Sequence, residues 1–183
     1  VPVPATRFSF FKLYRRSRTA FASALGSGVI MGSFWGLGAI YALAQTKDPS
    51  FVPAFIAANI IGGALAQYPI GMASDRVDRR YVLAALCAAS GASAFGLMLA
   101  TSPESLLLGS FAFGAFANSL YAVSLAKAAD NSKREEFVTI GSSVLLLNAL
   151  GSASAALVVG WAMRSLGDVA LFAFVGVASL VTG

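Results

Sequence analysis

Long runs without a charged side chain constrain this chain more than any other feature of its sequence. Five runs exceed twenty residues, and a shorter sixth run reaches the last residue; they cover 20–45, 51–73, 81–102, 105–126, 137–163 and 169–183. An α-helix rises about 1.5 Å per residue, so about 20 apolar residues cross the hydrocarbon core of a bilayer. We therefore predict an all-α integral membrane protein with six transmembrane helices, of which the last is truncated.

A soluble bundle of buried helices is the alternative fold. Helices of such a bundle carry one apolar stripe and one charged face, whereas these runs carry no charge on any face. The composition also favours a membrane protein, because 11% of the residues are charged against roughly 25% in soluble domains.

The basic residues divide unevenly between the two ends of the predicted helices. The connections on one side of the membrane carry only two basic residues, Lys47 and Arg164. The lead-in and the connections on the other side carry the remaining eleven of the thirteen: Arg7, Lys12, Arg15, Arg16, Arg18, Arg76, Arg79, Arg80, Lys127, Lys133 and Arg134. Lys and Arg are retained on the cytoplasmic side of a membrane. We therefore predict cytoplasmic termini, with a basic lead-in at 1–18 and a six-helix bundle at 19–183. The net charge of +5 then reports topology, and we expect no nucleic-acid partner.

Several kinds of chemistry are excluded by residues that the chain lacks. It has no His and a single cysteine, Cys87, which excludes a Cys/His zinc site, a Ser-His catalytic pair and an intrachain disulfide within it. All eight acidic residues lie outside the predicted helices or at their rims. An intramembrane carboxylate that couples transport to protons or cations is therefore not expected here. We predict no enzyme activity, no metal site and no cofactor.

Neutral polar and aromatic residues remain inside the predicted helices. Gly114, Asn118 and Tyr121 share one helix face at i, i+4 and i+7. Such groups line an aqueous cavity and hydrogen-bond a substrate, or they make interhelical hydrogen bonds that only hold the bundle together; for each Asn the two interpretations carry equal weight. The candidate substrate-facing residues are Trp35, Tyr41, Asn59, Asn118, Tyr121 and Asn148.

Small residues predict where helices pack closely. Gly28, Gly32 and Gly36 recur at i, i+4 and i+8 in the first run, and residues 151–156 of the fifth run are all Gly, Ser or Ala. Small residues let helix backbones approach in lipid. Tight packing is the favoured interpretation, and faces that slide during a conformational cycle are the functional alternative.

A charged turn after the second run carries the pattern Gly71-x-x-x-Asp75-Arg76-x-x-Arg79-Arg80. Gly71 is expected to allow close helix approach at the turn. Asp75 is expected to pair with Arg79 four residues later, or to lie against the N-terminus of a neighbouring helix, where the dipole favours an anion. Retention of basic residues in the cytoplasm explains the arginines, but it does not explain an acid and a glycine at these offsets. The turn is therefore a candidate conformational latch.

This pattern, placed between the second and third of six helices, resembles the signature loop of the major facilitator superfamily, G-x-x-x-D-R-x-G-R-R/K. Asp78 stands where that loop has its second glycine. Members have twelve helices in two six-helix halves. The imperfect loop, the basic lead-in and the start at Val1 without a methionine are similar to the second half, so we expect a fragment or half of a longer protein whose other six helices are its partner.

The resemblance implies a secondary transporter of a small solute that works by alternating access in the bacterial plasma (inner) membrane. Asp75, Arg76 and Arg79 would then stabilise one closed arrangement at the cytoplasmic face, partly through contacts with the missing half. The competing hypothesis is a stand-alone six-helix membrane scaffold or sensor that transports nothing.

Overall fold

The computed structural model describes Tyr14 and residues 18–130 and 136–182. The described residues form six α-helices: α1 Arg18–Thr46, α2 Phe51–Arg76, α3 Arg79–Met98, α4 Pro103–Asp130, α5 Phe137–Leu166 and α6 Ala170–Thr182. The first five are long and apolar enough to cross a membrane, and α6 is a shorter apolar helix. The predicted all-α membrane fold is confirmed. The predicted lead-in at 1–18 lies outside the described residues, except for Tyr14 and Arg18.

The helix ends differ from the ends of the charge-free runs. Helix α4 continues to Asp130, so Lys127 belongs to its last turn and not to the following loop, where the sequence placed it. Helix α3 ends early, at Met98, because Ser102 starts the next helix: its Oγ accepts from the Ser105 N–H at 3.2 Å. Pro103 occupies the first position of α4, where a missing N–H costs nothing.

Two other turns are fixed by single residues. The Asp78 carboxylate caps α3 by accepting from the Arg80 N–H at 3.0 Å. Gly167 ends α5 with a φ of 88°, in the left-handed region that glycine adopts without strain. These turns hold α2 beside α3 and α5 beside α6 through very short connections.

The closest helix pairs are not consecutive in the chain. Short loops make consecutive helices neighbours, but the most extensive packing joins α1 with α5 and α2 with α4. Small residues explain the difference. A Cβ added to Gly28 would overlap the carbonyl group of Asn148 on α5, and one added to Gly151 would approach the carbonyl oxygen of Leu25 on α1. The small-residue stripes therefore serve helix packing in this structure.

An aromatic cluster fills the bundle towards the end where α1 and α3 finish. The ring of Phe34 lies 5.7 Å from that of Phe55 and 5.5 Å from that of Phe113, measured between centroids. The ring of Phe172 meets those of Phe113 at 5.8 Å and Tyr41 at 4.7 Å, both edge to face. This cluster joins α1, α2, α4 and α6.

Candidate functional site

A groove of about 530 Å³ opens between four helices, α1, α2, α4 and α5. No charged side chain is among the described residues that line this central groove. Its walls are Met31, Gly32, Trp35, Ile60, Gly63, Ala64, Gln67, Asn118, Tyr121, Asn148 and Ser152. Amide, hydroxyl and indole groups on an otherwise apolar wall can orient a ligand by hydrogen bonds and ring contacts.

The position of Asn118 in the groove depends on the absence of a side chain at Gly63. A Cβ at Gly63 would overlap the Asn118 amide group, and one at Gly114 would overlap the Asn59 carbonyl group. At this close approach, Asn118 Nδ2 donates to both the backbone oxygen and Oδ1 of Asn59, each at 3.3 Å. Asn118 therefore joins α4 to α2 and lines the groove as well.

Asn148 combines the same two roles on the other wall. Its Nδ2 donates to the Ser27 Oγ at 2.9 Å, which joins α5 to α1. The sequence left cavity lining and helix joining as alternatives for these amides, and the geometry combines them. For Gln67, Tyr121 and Ser152 no hydrogen-bond partner exists within the part of the chain that the structure describes, so their polar groups are available to a ligand.

Two predicted substrate-facing residues lie elsewhere. Tyr41 is 1% exposed, packs in the aromatic cluster, and donates from its hydroxyl to the Leu97 backbone oxygen at 2.7 Å. Asn59 is fully buried and its Nδ2 faces the Ser110 backbone oxygen at 3.5 Å. In this structure neither side chain lines the groove, because a polar group at helix mid-depth is as readily satisfied by a neighbouring backbone as by water. Trp35, by contrast, is 51% exposed on the groove.

Gln67 and Ser152 belong to the groove but were not predicted. The helical spacing in the sequence could have indicated Gln67. It follows Ile60 and Gly63 by seven and four residues, which places all three on one face of α2. Ser152 is part of the small-residue stripe, and nothing in its spacing distinguishes a groove residue from a packing residue.

At the other candidate site, an ion-pair network connects the α2–α3 turn with the end of α4. Arg79 Nη2 donates to Asp75 Oδ1 at 2.7 Å, as the sequence predicted, and Arg79 Nη1 donates to Asp130 Oδ1. Lys127 Nζ donates to Asp78 Oδ1 at 3.0 Å. We call the part of the bundle that carries these five residues the ion-pair end. Asp130 and Lys127 come from an element distant in sequence, and no local pattern pointed to them.

Asp78, which departs from the glycine of the signature loop, has a structural role of its own. The Arg80 N–H, and after it the Lys127 ammonium, hold the pKa of the Asp78 carboxyl below its usual value of 3.8. Asp78 is thus ionised at neutral pH, as an N-cap and as the partner of a cation. A glycine at this position would lose both contacts.

Gly71 and the side chains of Arg76 and Arg80 take no part in the ion-pair network of the described bundle. Gly71 was expected to allow close helix approach, but no described atom of another helix lies within 4 Å of a Cβ built there. That expectation is wrong within these six helices. Arg76 and Arg80 are exposed and form no ion pair with a described residue. The face of the turn that carries Gly71 is therefore open.

Comparisons with known proteins identify one family of membrane transporters. A family model described as Major Facilitator Superfamily matches residues 19–183. A protein of Escherichia coli O7:K1 (strain IAI39 / ExPEC), named uncharacterized MFS-type transporter YcaD, is 25% identical over 179 residues, which are 97% of this chain and 46% of the relative. An uncharacterized MFS-type transporter of Yersinia pestis (strain Pestoides F) is 28% identical over 160 residues, 86% of this chain and 41% of the relative. The chain thus spans less than half the length of these relatives.

Proposed function

The chain belongs to the major facilitator superfamily, and from that premise we propose that it forms one six-helix half, the second in chain order, of an alternating-access transporter for a small solute. Family membership itself supports a role in membrane transport and points away from an enzymatic one. The relatives extend well beyond the matched region, which leaves room for a second bundle of six helices.

The central groove is the observation that carries this proposal. Four helices line it, and its polar groups lie near helix mid-depth, where lipid offers no hydrogen-bond partner. A wall of this kind is stable when water or a ligand faces it. We propose that the groove faces the other half of the transporter and supplies one side of the solute site at the bilayer midplane. Its uncharged lining suits a neutral solute with hydrogen-bonding groups.

The ion-pair end is proposed to face the cytoplasm and to act as the latch. The concentration of basic residues at that end of the described bundle supports the orientation. Asp75 is 71% exposed although Arg79 holds one of its oxygens, so its carboxylate remains accessible to a further partner. We propose that Asp75 and the open Gly71–Arg76 face contact the other half when the cytoplasmic side is closed, and that the contact is released when it opens.

Cysteine accessibility in the full-length protein tests the groove assignment. Thiols react as thiolates, which form in water and not in lipid or a packed core. With Cys87 replaced by Ala, we expect Asn118→Cys and Tyr121→Cys to react with a water-soluble, membrane-impermeant methanethiosulfonate at least about tenfold faster than two controls.

The controls are Phe113→Cys, in the fully buried aromatic cluster, and Val177→Cys, which is 57% exposed on the apolar surface of α6. Reaction at the groove positions no faster than at Val177→Cys would return Asn118 and Tyr121 to a packing role. A stand-alone scaffold or sensor module, the alternative function, would then be favoured.

A further inference from the structure

A second cavity, of about 520 Å³, lies between α1 and α5 at the end of the bundle opposite the ion-pair end. It shares no lining residue with the central groove. Its walls include Leu37 and Ile40 of α1, a stretch of α5 around Gly160, and Asp168 from the turn that leads into α6. The chemistry of this cavity differs from that of the groove, because two charged residues, Arg164 and Asp168, line it.

Two opposite charges line this cavity without pairing. Arg164 is exposed and Asp168 is half-buried. Within the chain that the structure describes, neither side chain forms an ion pair or a side-chain hydrogen bond, with the other or with any third residue. Opposite charges that share a cavity but stay apart leave space for a ligand that has both signs. A purely anionic ligand would bring its charge beside Asp168, and a purely cationic one would bring its charge beside Arg164.

The rest of the lining is suited to an apolar tail. Leu157 is 78% exposed and Trp161 is 71% exposed, and both border the cavity. Tryptophan concentrates where a membrane meets water, with its ring at the level of the lipid head groups. Trp161 lies one turn before Arg164 on α5, so charged and apolar walls are adjacent. A ligand that matches both walls is an amphiphile with a zwitterionic head.

We propose that this cavity is a binding site for a zwitterionic phospholipid that carries a primary ammonium, of the phosphatidylethanolamine type. Arg164 donates to the phosphate, and Asp168 accepts from the ammonium, whose N–H groups make charge-assisted hydrogen bonds. Leu157 and Trp161 contact the upper part of the acyl chains. The site lies where α5 meets both α1 and the α6 turn, so a bound lipid would clamp that end of the bundle.

Native mass spectrometry of the delipidated full-length protein in detergent tests the site. The probes are dioleoyl-phosphatidylethanolamine, the anionic dioleoyl-phosphatidylglycerol and free phosphoethanolamine. We expect the ethanolamine lipid to bind about tenfold more tightly than the glycerol lipid, and Arg164→Gln and Asp168→Asn each to weaken it about tenfold. Asp168→Asn is not expected to weaken the glycerol lipid, which has no ammonium.

Matched controls are available on the same side of the bundle and in other helices. Lys47→Gln and Asp48→Asn remove an exposed cation and an exposed anion from the α1–α2 turn and should leave lipid binding unchanged. No described atom of another helix lies within 4 Å of a Cβ built at Gly160, so Gly160→Leu should occupy the cavity without disturbing the fold and abolish binding. Gly96→Leu, equally unhindered but on α3 and not among the lining residues, should preserve it.

Three results would overturn the proposal. The first is equal affinity for the two lipids, and the second is an effect of Arg164→Gln or Asp168→Asn no larger than that of the α1–α2 turn controls. The third is displacement of the lipid by millimolar phosphoethanolamine, which would make the site one for a soluble zwitterion. None of these results depends on transport or on the central groove.

Discussion

Gly114→Leu will prevent α2 and α4 from packing, and we expect little folded protein to be recovered. A side chain at residue 114 would overlap the backbone carbonyl of Asn59, and a helix backbone cannot move aside as a flexible side chain can. Overpacking costs typically 1–3 kcal/mol even where side chains can adjust. The helix separation would also break the two Asn118–Asn59 contacts, worth about 0.6 kcal/mol for an average membrane hydrogen bond.

Thermal unfolding of the detergent-solubilised full-length protein measures the effect, alongside monodispersity on size exclusion. We expect a fall in Tm of several degrees, since 1 kcal/mol shifts the Tm of a domain of 150–250 residues by roughly 2–4 °C and that of a longer protein by less. Gly96→Leu adds the same side chain to α3, with no described atom of another helix within 4 Å of its Cβ, and should unfold within about 2 °C of wild type. If the two variants have the same Tm, the α2–α4 contact is not as close as described.

Asp75→Asn should cut transport by the full-length protein about tenfold, within the range of 1–3 kcal/mol by which conformational states are usually coupled. The folded protein should be nearly unaffected, because an exposed i, i+4 ion pair contributes about 0.3–0.5 kcal/mol. Arg79 keeps Asp130 as its partner when Asp75 loses its charge. The expected loss comes from the contact proposed between Asp75 and the other half, and not from the fold of this half.

The assay is uptake into proteoliposomes, with a panel of radiolabelled neutral solutes first tested on the wild-type protein. Asp48→Asn is the matched control, since Asp48 also lies in a helix-connecting turn and accepts from Ser50 N–H and Oγ at 2.9 and 2.7 Å. It lies at the end opposite Asp75, and its loss should leave transport within about twofold of wild type. Equal transport by Asp75→Asn and wild type would remove the latch from the mechanism.

The fold was predictable from sequence because the thickness of the bilayer sets the minimum length of a membrane-spanning helix. Five charge-free runs of this chain reach that length. Helix partners were harder to predict. The pairing depends on which glycine faces which backbone, as Gly28 faces Asn148. That match involves residues more than a hundred positions apart, and a single sequence contains no signal for it.

In the candidate site, too, contacts between residues close in sequence were predictable, and contacts between distant residues were not. The pairing of Asp75 with Arg79 is local, four residues apart on neighbouring turns, and spacing predicted it. Tyr41 and Asn118 look alike in the sequence, as polar residues inside apolar runs. Only the surrounding helices decide that the Tyr41 hydroxyl is used by the Leu97 carbonyl while Asn118 borders a groove. The sequence indicates how deep in the membrane a residue lies, but it does not indicate whether its side chain faces a neighbouring helix or a groove.

The most direct test of a transporter half with a latch and a groove is the sidedness of labelling at one groove position. Tyr121→Cys would be labelled with a membrane-impermeant methanethiosulfonate in right-side-out and inside-out vesicles, with and without Asp75→Asn. If the ion-pair end closes the cytoplasmic side, Asp75→Asn should raise the labelling rate from that side about tenfold and lower it from the other side, because populations shift between two states. Unchanged rates, or rates that rise from both sides together, would contradict alternating access around this groove.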